Sequence, residues 1–310
     1  MSRYDWKRFW CPRNASVDLS DGGYLSDPDT TWGQAANPDL VTSTAIADTP
    51  CLILLGGPGI GKTTTMEQEL ERVRPSDAGN EIQTLWIDVG NCANVRGFLD
   101  ELSENSTFRD WRAGSSLLRL YLDGLDESVV WSGNITRALV GCLSDCPRER
   151  LWLRIICRTA QWLDEMEQEL KQLWAEELVK VYELAPLRRQ DVVNACGANG
   201  LDSIAFQRDL RAVAAVPFAI RPITLDLLIR LYKNKGRLPS SSVELYLEGC
   251  RQLCEEPVEA HRISGRSGDH TPEQRMTVAT RIAATTALCK RHAVWTGQDL
   301  AWFMHKSWRS

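Results

Sequence analysis

The sequence predicts an α/β fold: a parallel sheet flanked by helices, followed by an all-helical domain. Three observations predict it. Five short aliphatic runs, CLILL (51–55), QTLWIDV (83–89), LLRLYLD (117–123), LWLRIIC (151–157) and ELVKVYEL (177–184), read as strands buried within a sheet. Helical patterns stand between several of them, which implies βαβ units and a sheet covered on both faces. After Pro186 the strand-like runs stop and only helical patterns remain.

Taken in order, residues 1–50 read as irregular. The stretch SDGGYLSDPDTTWGQAANPDL is loaded with turn formers. Trp6, Phe9, Trp10, Tyr24 and Trp32 nevertheless predict an arm that docks on the core, because free tails are poor in aromatics. The first strand is followed by a helix from Lys62 to about Val73. Further helices are expected near 132–145 and 163–175. Arg119 is expected near a strand entrance, opposite the glycine loop described below, whereas the pattern gives no place for Arg154 and Lys180. Beyond Pro186 the helices fall at about 189–196, 203–215, 223–233, 242–254 and 272–291. Ser241 to Glu244 reads as a capping box. In TPEQ, Thr271 is the cap, Pro272 takes the first helical position and Gln274 reaches back.

The chain has 310 residues and a formal net charge of −5, which argues against binding nucleic acid through bulk charge, although the C-terminal stretch is locally basic (Arg281, Lys290, Arg291, Lys306, Arg309). No 18-residue apolar run and no signal core occur, so no membrane partner and a cytoplasmic location are expected. Ten cysteines accordingly read as reduced, buried thiols. A zinc site of Cys250, Cys254, His261 and His270 lacks the tight knuckle spacing, and core packing is the preferred reading of those cysteines.

The chemistry centres on GGPGIGKT, Gly56 to Thr63, which fits G-x-x-x-x-G-K-[ST] between a buried strand and a helix. Glycines there let the backbone N–H groups turn inward around phosphate oxygens, and the helix dipole adds to the attraction. Gly56, Gly57, Pro58, Gly59, Ile60, Gly61, Lys62, Thr63 and Thr64 are the candidate nucleotide-binding residues. Lys62 would reach the β- and γ-phosphates, and the Thr63 hydroxyl would ligate Mg²⁺.

A second constellation is LYLDGLDES, Leu120 to Ser128. Asp123 ends a strand where a carboxylate would hold Mg²⁺, directly or through water. Asp126 and Glu127 follow past a glycine turn, and one of them is the candidate base that orients the attacking water. Arg158 directly follows the fourth strand, at the carboxyl side where ligands of open sheets sit, and is a candidate γ-phosphate sensor. Its alternative is a surface arginine paired with Asp164 or Glu165. The absence of an Asn-Lys-x-Asp stretch leans towards ATP over GTP. These features identify a P-loop NTPase. A regulatory switch, an AAA-like loader or motor on nucleic acid and a small-molecule kinase all share them.

GGPGIGKTTT with LYLDGLDE resembles the NACHT group of STAND NTPases, whose relatives in bacteria often act in antiviral defence. LAPLRRQDV (184–192), RPITLDLLIRLY (221–232) and LPSSSVELYLEGC (239–250) resemble the group's helical segments, and Pro222 maps to the proline that approaches the nucleotide. The resemblance implies an N-terminal arm (1–50), a NACHT-type NTPase domain (51–185), a helical domain (186–256), a loop (257–271) and the start of a second helical or winged-helix region (272–310). It also implies that the Arg158 strand lies between the glycine-loop and Asp123 strands. By function, it implies an ATP/ADP switch with slow hydrolysis and self-association on activation. Sensor and effector domains or chains would lie outside this sequence, and nucleic acid would be an unlikely partner.

Overall fold

The computed structural model describes residues 4, 6–72, 82–92, 94–125, 134–255 and 271–289. They fall into two compact units, Met1–Leu238 and Pro239–Ser310. That division lies inside the 186–256 helical domain expected from the sequence.

The first unit is built on a seven-stranded mixed sheet. In chain order its elements are β1 (Phe9–Pro12), α1 (Thr31–Ala36), β2 (Val41–Thr42), β3 (Cys51–Leu55), α2 (Lys62–Arg72), β4 (Ile82–Asp88), α3 (Val95–Glu104), α4 (Ser106–Ala113), β5 (Leu117–Asp123), α5 (Asn134–Ser144), β6 (Leu151–Cys157), α6 (Asp164–Trp174) and β7 (Val179–Leu184). The helices α7 (Arg189–Ala198), α8 (Ser203–Ala212), α9 (Val216–Ala219) and α10 (Pro222–Lys235) follow. The strand order is β2-β1-β7-β3-β6-β5-β4, and β7, β3, β6, β5 and β4 are mutually parallel. β6 thus separates the glycine-loop strand β3 from β5, the arrangement the resemblance implied.

Alternation of side chains divides the core between the two faces of the sheet. One face, with Ile53, Ile87, Leu120 and Ile155, packs against α3, α4, α5 and α6 through Phe98, Trp111, Leu139 and Leu170. The other carries Leu52, Leu54, Tyr121 and Ile156 and is covered by Met66 of α2 together with Trp10 and Ile46.

Several sequence expectations need correction here. The arm is not irregular: β1 pairs antiparallel with β7 and β2 with β1. The fully buried Trp10 drives this docking, and its indole N–H donates to Ser43 Oγ at 3.0 Å. The pairing also covers what would be an open edge of β7. α3 and α4 stand in a stretch where no helix was anticipated. Each is capped by an asparagine, Asn94 to Gly97 N and Asn105 to Thr107 N. Not all the cysteines are buried, since Cys250 and Cys289 are exposed. No group of three potential metal ligands exists among the described residues, and His261 and His270 lie outside them.

The arginines that fall within strands are placed by the fold. Arg119 is the third residue of β5, near its amino-terminal end. Arg154 is buried in β6 and donates to the carbonyl oxygens of Thr49 and Ala47, groups no strand pairs. Lys180 is exposed on β7.

The second unit contains α11 (Ser242–Glu255) and α12 (Pro272–Leu288), which pack on one another. Thr271 and Gln274 form the reciprocal cap read from the sequence, with Thr271 N donating to Gln274 Oε1 at 2.8 Å. Among the described residues no helix is long and apolar enough to cross a membrane.

Candidate nucleotide site

β3 ends at Leu55 with every side chain buried, and Gly56 begins a bend that Lys62 closes as the first residue of α2. Gly59 and Gly61 sit at φ of +68° and +94°, in the left-handed region that side chains disfavour. A Cβ on Gly59 would stand 2.2 Å from Ile223 Cγ2, and one on Gly61 would stand 3.4 Å from Pro222 Cγ. The loop is therefore packed against the start of α10, and Ile223 N also donates to Gly59 O at 3.3 Å. Pro222, Gly59 and Gly61 line one cavity as a result.

Lys62 Nζ donates to the carbonyl oxygens of Gly56 and Gly57 at 2.7 and 3.3 Å, so its ammonium lies over the loop. The Thr63 hydroxyl donates to Asp123 Oδ2 at 2.8 Å. The two side chains assigned to the metal from sequence thus meet in space although sixty residues separate them. Burial raises the Asp123 pKa, against the hydrogen bonds from Thr63 and Gly124 N; the charge of Asp88 raises it further and Lys62 opposes.

Asp88 went unnoticed in the sequence. It ends β4, pairs in register with Asp123 and so brings a second carboxylate to the same end of the sheet. The signal was present, since it closes QTLWID as Asp123 closes LLRLYLD. Its oxygens are engaged by Gly90 N at 3.0 Å and Asn91 Nδ2 at 2.6 Å.

Arg158 follows β6 directly and is half-buried, at the carboxyl end of the strand between those of Gly56 and Asp123. Of its two alternative partners, Asp164 accepts from Arg13 at 2.8 Å. Asp126 and Glu127 lie outside the described residues. Pro58 of the loop and Thr64 of the first turn of α2 are exposed, Gly57 is half-buried, and the side chain of Ile60 is buried beneath the loop.

The second residue missed from sequence is Arg8. Buried in the arm, it donates to Ile60 O at 3.0 Å and to Ala185 O at 2.7 Å, tying the glycine loop to the chain after β7. Burial lowers its pKa to about 10 despite the charge of Asp191. Tyr4 and Trp6 stack with centroids 4.7 Å apart. With Thr64, Gln68, Pro222 and Ile223 they line a cavity of about 390 Å³ beside the loop, room for a nucleoside.

The raised Asp123 pKa has a consequence for the ligand-free chain. The folded state binds the proton more tightly than the unfolded state, so stability falls as pH rises through the window just above the ordinary carboxylate range. Asp123→Asn is expected to raise the melting temperature above that window and to leave it unchanged below it. Melting curves across pH check both outcomes.

A glycine-rich bend after a buried strand, a threonine hydrogen-bonded to the acid of a second strand, and one strand between the two define a P-loop NTPase fold. No protein-family model matches the chain, and no curated protein matches it. Among solved structures it is similar to the Aeropyrum pernix ORC1 protein in complex with DNA, at 14% identity over 79% of this chain and 74% of that one, TM-score 0.44. It is also similar to Cdc6p from Pyrobaculum aerophilum (15%, 75% and 74%, TM-score 0.45). A third is domain III of the Thermotoga maritima replication initiation protein DnaA (12%, 76% and 97%, TM-score 0.41). None of the three is described as a NACHT, STAND or defence protein, and one is held on DNA. The NACHT, STAND and antiviral-defence assignment is therefore withdrawn, together with the sensor and effector partners it implied. The expectation that nucleic acid is an unlikely partner is withdrawn as well.

Proposed function

We propose that the chain binds ATP with Mg²⁺ and hydrolyses it as an AAA-like ATPase that acts on nucleic acid. The observation that carries the nucleotide reading is the Thr63–Asp123 hydrogen bond at the mouth of the glycine bend. A hydroxyl and a carboxylate already converge there, one from each of the two motifs. The residues fit the group: Thr63 and Asp123 would hold Mg²⁺, which when bound neutralises phosphate charge. The bend and Lys62 would bind the phosphates, and the cavity lined by Trp6 and Pro222 would take the nucleoside. Arg158 would sense the γ-phosphate, and Asp126 or Glu127 would orient the attacking water.

The contact of Ile223 and Pro222 with Gly59 and Gly61 couples the bend to α10. Phosphates entering the bend would act on that contact, so nucleotide state would bias the packing of the helical segment. The nucleic-acid part of the proposal rests on local charge: on a chain of net charge −5, Arg275 and Arg281 of α12 are followed in sequence by Lys290, Arg291, Lys306 and Arg309.

Glu127→Gln tests both parts. It is expected to keep ATP affinity within about threefold while lowering turnover by about 10²-fold or more, the usual range for removing a general base. The ATP-trapped variant should also bind DNA, by fluorescence anisotropy, with an affinity that falls as salt rises. Undiminished turnover would remove the base assignment, and no DNA binding in any nucleotide state would remove the nucleic-acid reading.

A further inference from the structure

On the sheet face covered by α2, at the amino-terminal side of the strands, lies a cavity of about 40 Å³ lined by Ser43, Glu69, Arg119, Tyr121 and Arg154. Arg119 precedes Asp123 by four residues in β5, so it stands about 13 Å away along the strand, away from the mouth of the glycine bend. The cavity is rich in donors and poor in acceptors. Arg119 is 8% exposed, stacks on the Trp152 ring at 4.7 Å and makes no hydrogen bond or ion pair with any described residue. Its guanidinium carries five N–H donors, which the described side chains leave open to water or to a ligand. The Tyr121 hydroxyl is also without a partner among the described residues, its ring being held against Trp86 at 4.9 Å. Ser43 Oγ accepts from Trp10, which leaves its own proton to donate. Arg154 brings a second guanidinium, satisfied through its terminal nitrogens by main-chain carbonyls.

We propose that this cavity is a second anion site, a pocket for one phosphate group held by Arg119 and Tyr121. Glu69 is the one carboxylate on its described wall, against two guanidinium groups. Burial lowers the Arg154 pKa to about 10, with Tyr121 opposing the shift and the nearby charge of Arg119 adding to it. The volume holds about three water-sized groups, which suits the oxygens of a single oxyanion and excludes a nucleoside. A guanidinium braced on an aromatic ring is preorganised for such a ligand. The phosphate is either free or part of a nucleic-acid backbone, and the two sources share this chemistry.

The test must be blind to the glycine bend, itself an oxyanion site, so it uses the full chain carrying Lys62→Ala. Calorimetric titration with inorganic phosphate at constant ionic strength is expected to show one saturable site. Adding Arg119→Met should weaken that site at least tenfold. Tyr121→Phe, which keeps the ring and its stacking, should weaken it about threefold, and it decides the question where Arg119→Met does not fold. Competition by oligothymidylate would identify a backbone phosphate as the ligand, and phosphate binding without competition would identify the free ion. Absence of saturable phosphate binding to the Lys62→Ala chain, or equal binding by the Arg119 and Tyr121 variants, would overturn the proposal. Neither result bears on ATP hydrolysis at the bend.

Discussion

Lys62→Ala is expected to lower ATP affinity by about 10²-fold while leaving the fold intact. Lys62 now donates to the carbonyls of Gly56 and Gly57, a placement that holds its ammonium over the bend. Phosphate oxygens entering there would exchange a neutral carbonyl acceptor for a charged one. Hydrogen bonds to charged groups contribute about 1.5–3 kcal/mol, and at about 1.4 kcal/mol per tenfold this is about 10- to 150-fold in affinity. Lys62 is half-buried, so truncation leaves no sealed cavity and the melting temperature of the ligand-free chain should move little. Arginine would not replace it, because a planar fork does not occupy the position of a compact ammonium. Isothermal titration with Mg·ATP measures the loss; an unchanged dissociation constant in a folded variant would remove the bend as the phosphate site.

What the sequence disclosed and what it hid differ by range of interaction. β3, β5 and β6 were legible to the residue, because they are aliphatic runs buried within the sheet; β3 stops at a glycine, β5 at an acid and β6 at Arg158. The bend, Lys62, Thr63 and Asp123 were legible because local backbone chemistry requires those residue types. α3 and α4 carried a local signal that was passed over: Asn94 and Asn105 as caps, each followed by a pair of apolar residues, Phe98 with Leu102 and Phe108 with Trp111. β1 and β2 carried none. Four and two residues are too few to show a period, and their pairing is set by β7, distant in sequence. The same holds for Arg8, whose role at Ile60 O arises only once β1 is docked. Asp88 is intermediate, since its acid was visible but its alignment with Asp123 is a matter of strand register.

That dependence on docking makes the arm's anchor the most sensitive structural position, and Arg188→Ala is expected to destabilise the chain by about 3–5 kcal/mol, the cost typical of breaking a buried ion pair. Arg188 Nη2 donates to Asp191 Oδ1 at 2.9 Å and Nε to Asp191 Oδ2 at 3.2 Å. Its Nη1 reaches Asp27 and Asp29 of the arm, both at 3.1 Å, and the guanidinium lies over the Phe9 ring of β1 at 5.3 Å. Burial works against this charge, yet hydrogen bonds to Asp191 and Asp27 and their charges hold its pKa above the ordinary range. The side chains of Arg188 and Asp191 are only 8% and 2% exposed, so truncation strands a carboxylate that water does not reach. At about 2–4 °C per kcal/mol for a domain of this size, the melting temperature should fall by about 6–20 °C. The double variant Arg188→Ala/Asp191→Asn should recover part of the loss, because the stranded charge is removed with its partner. Loosening the arm also loosens Arg8 from Ile60 O and the cavity walls formed by Tyr4 and Trp6. ATP affinity should therefore fall in Arg188→Ala even at temperatures where the chain remains folded. A single variant whose melting temperature and ATP affinity both match the wild type would show that the arm is held by its aromatic residues alone and takes no part in shaping the site.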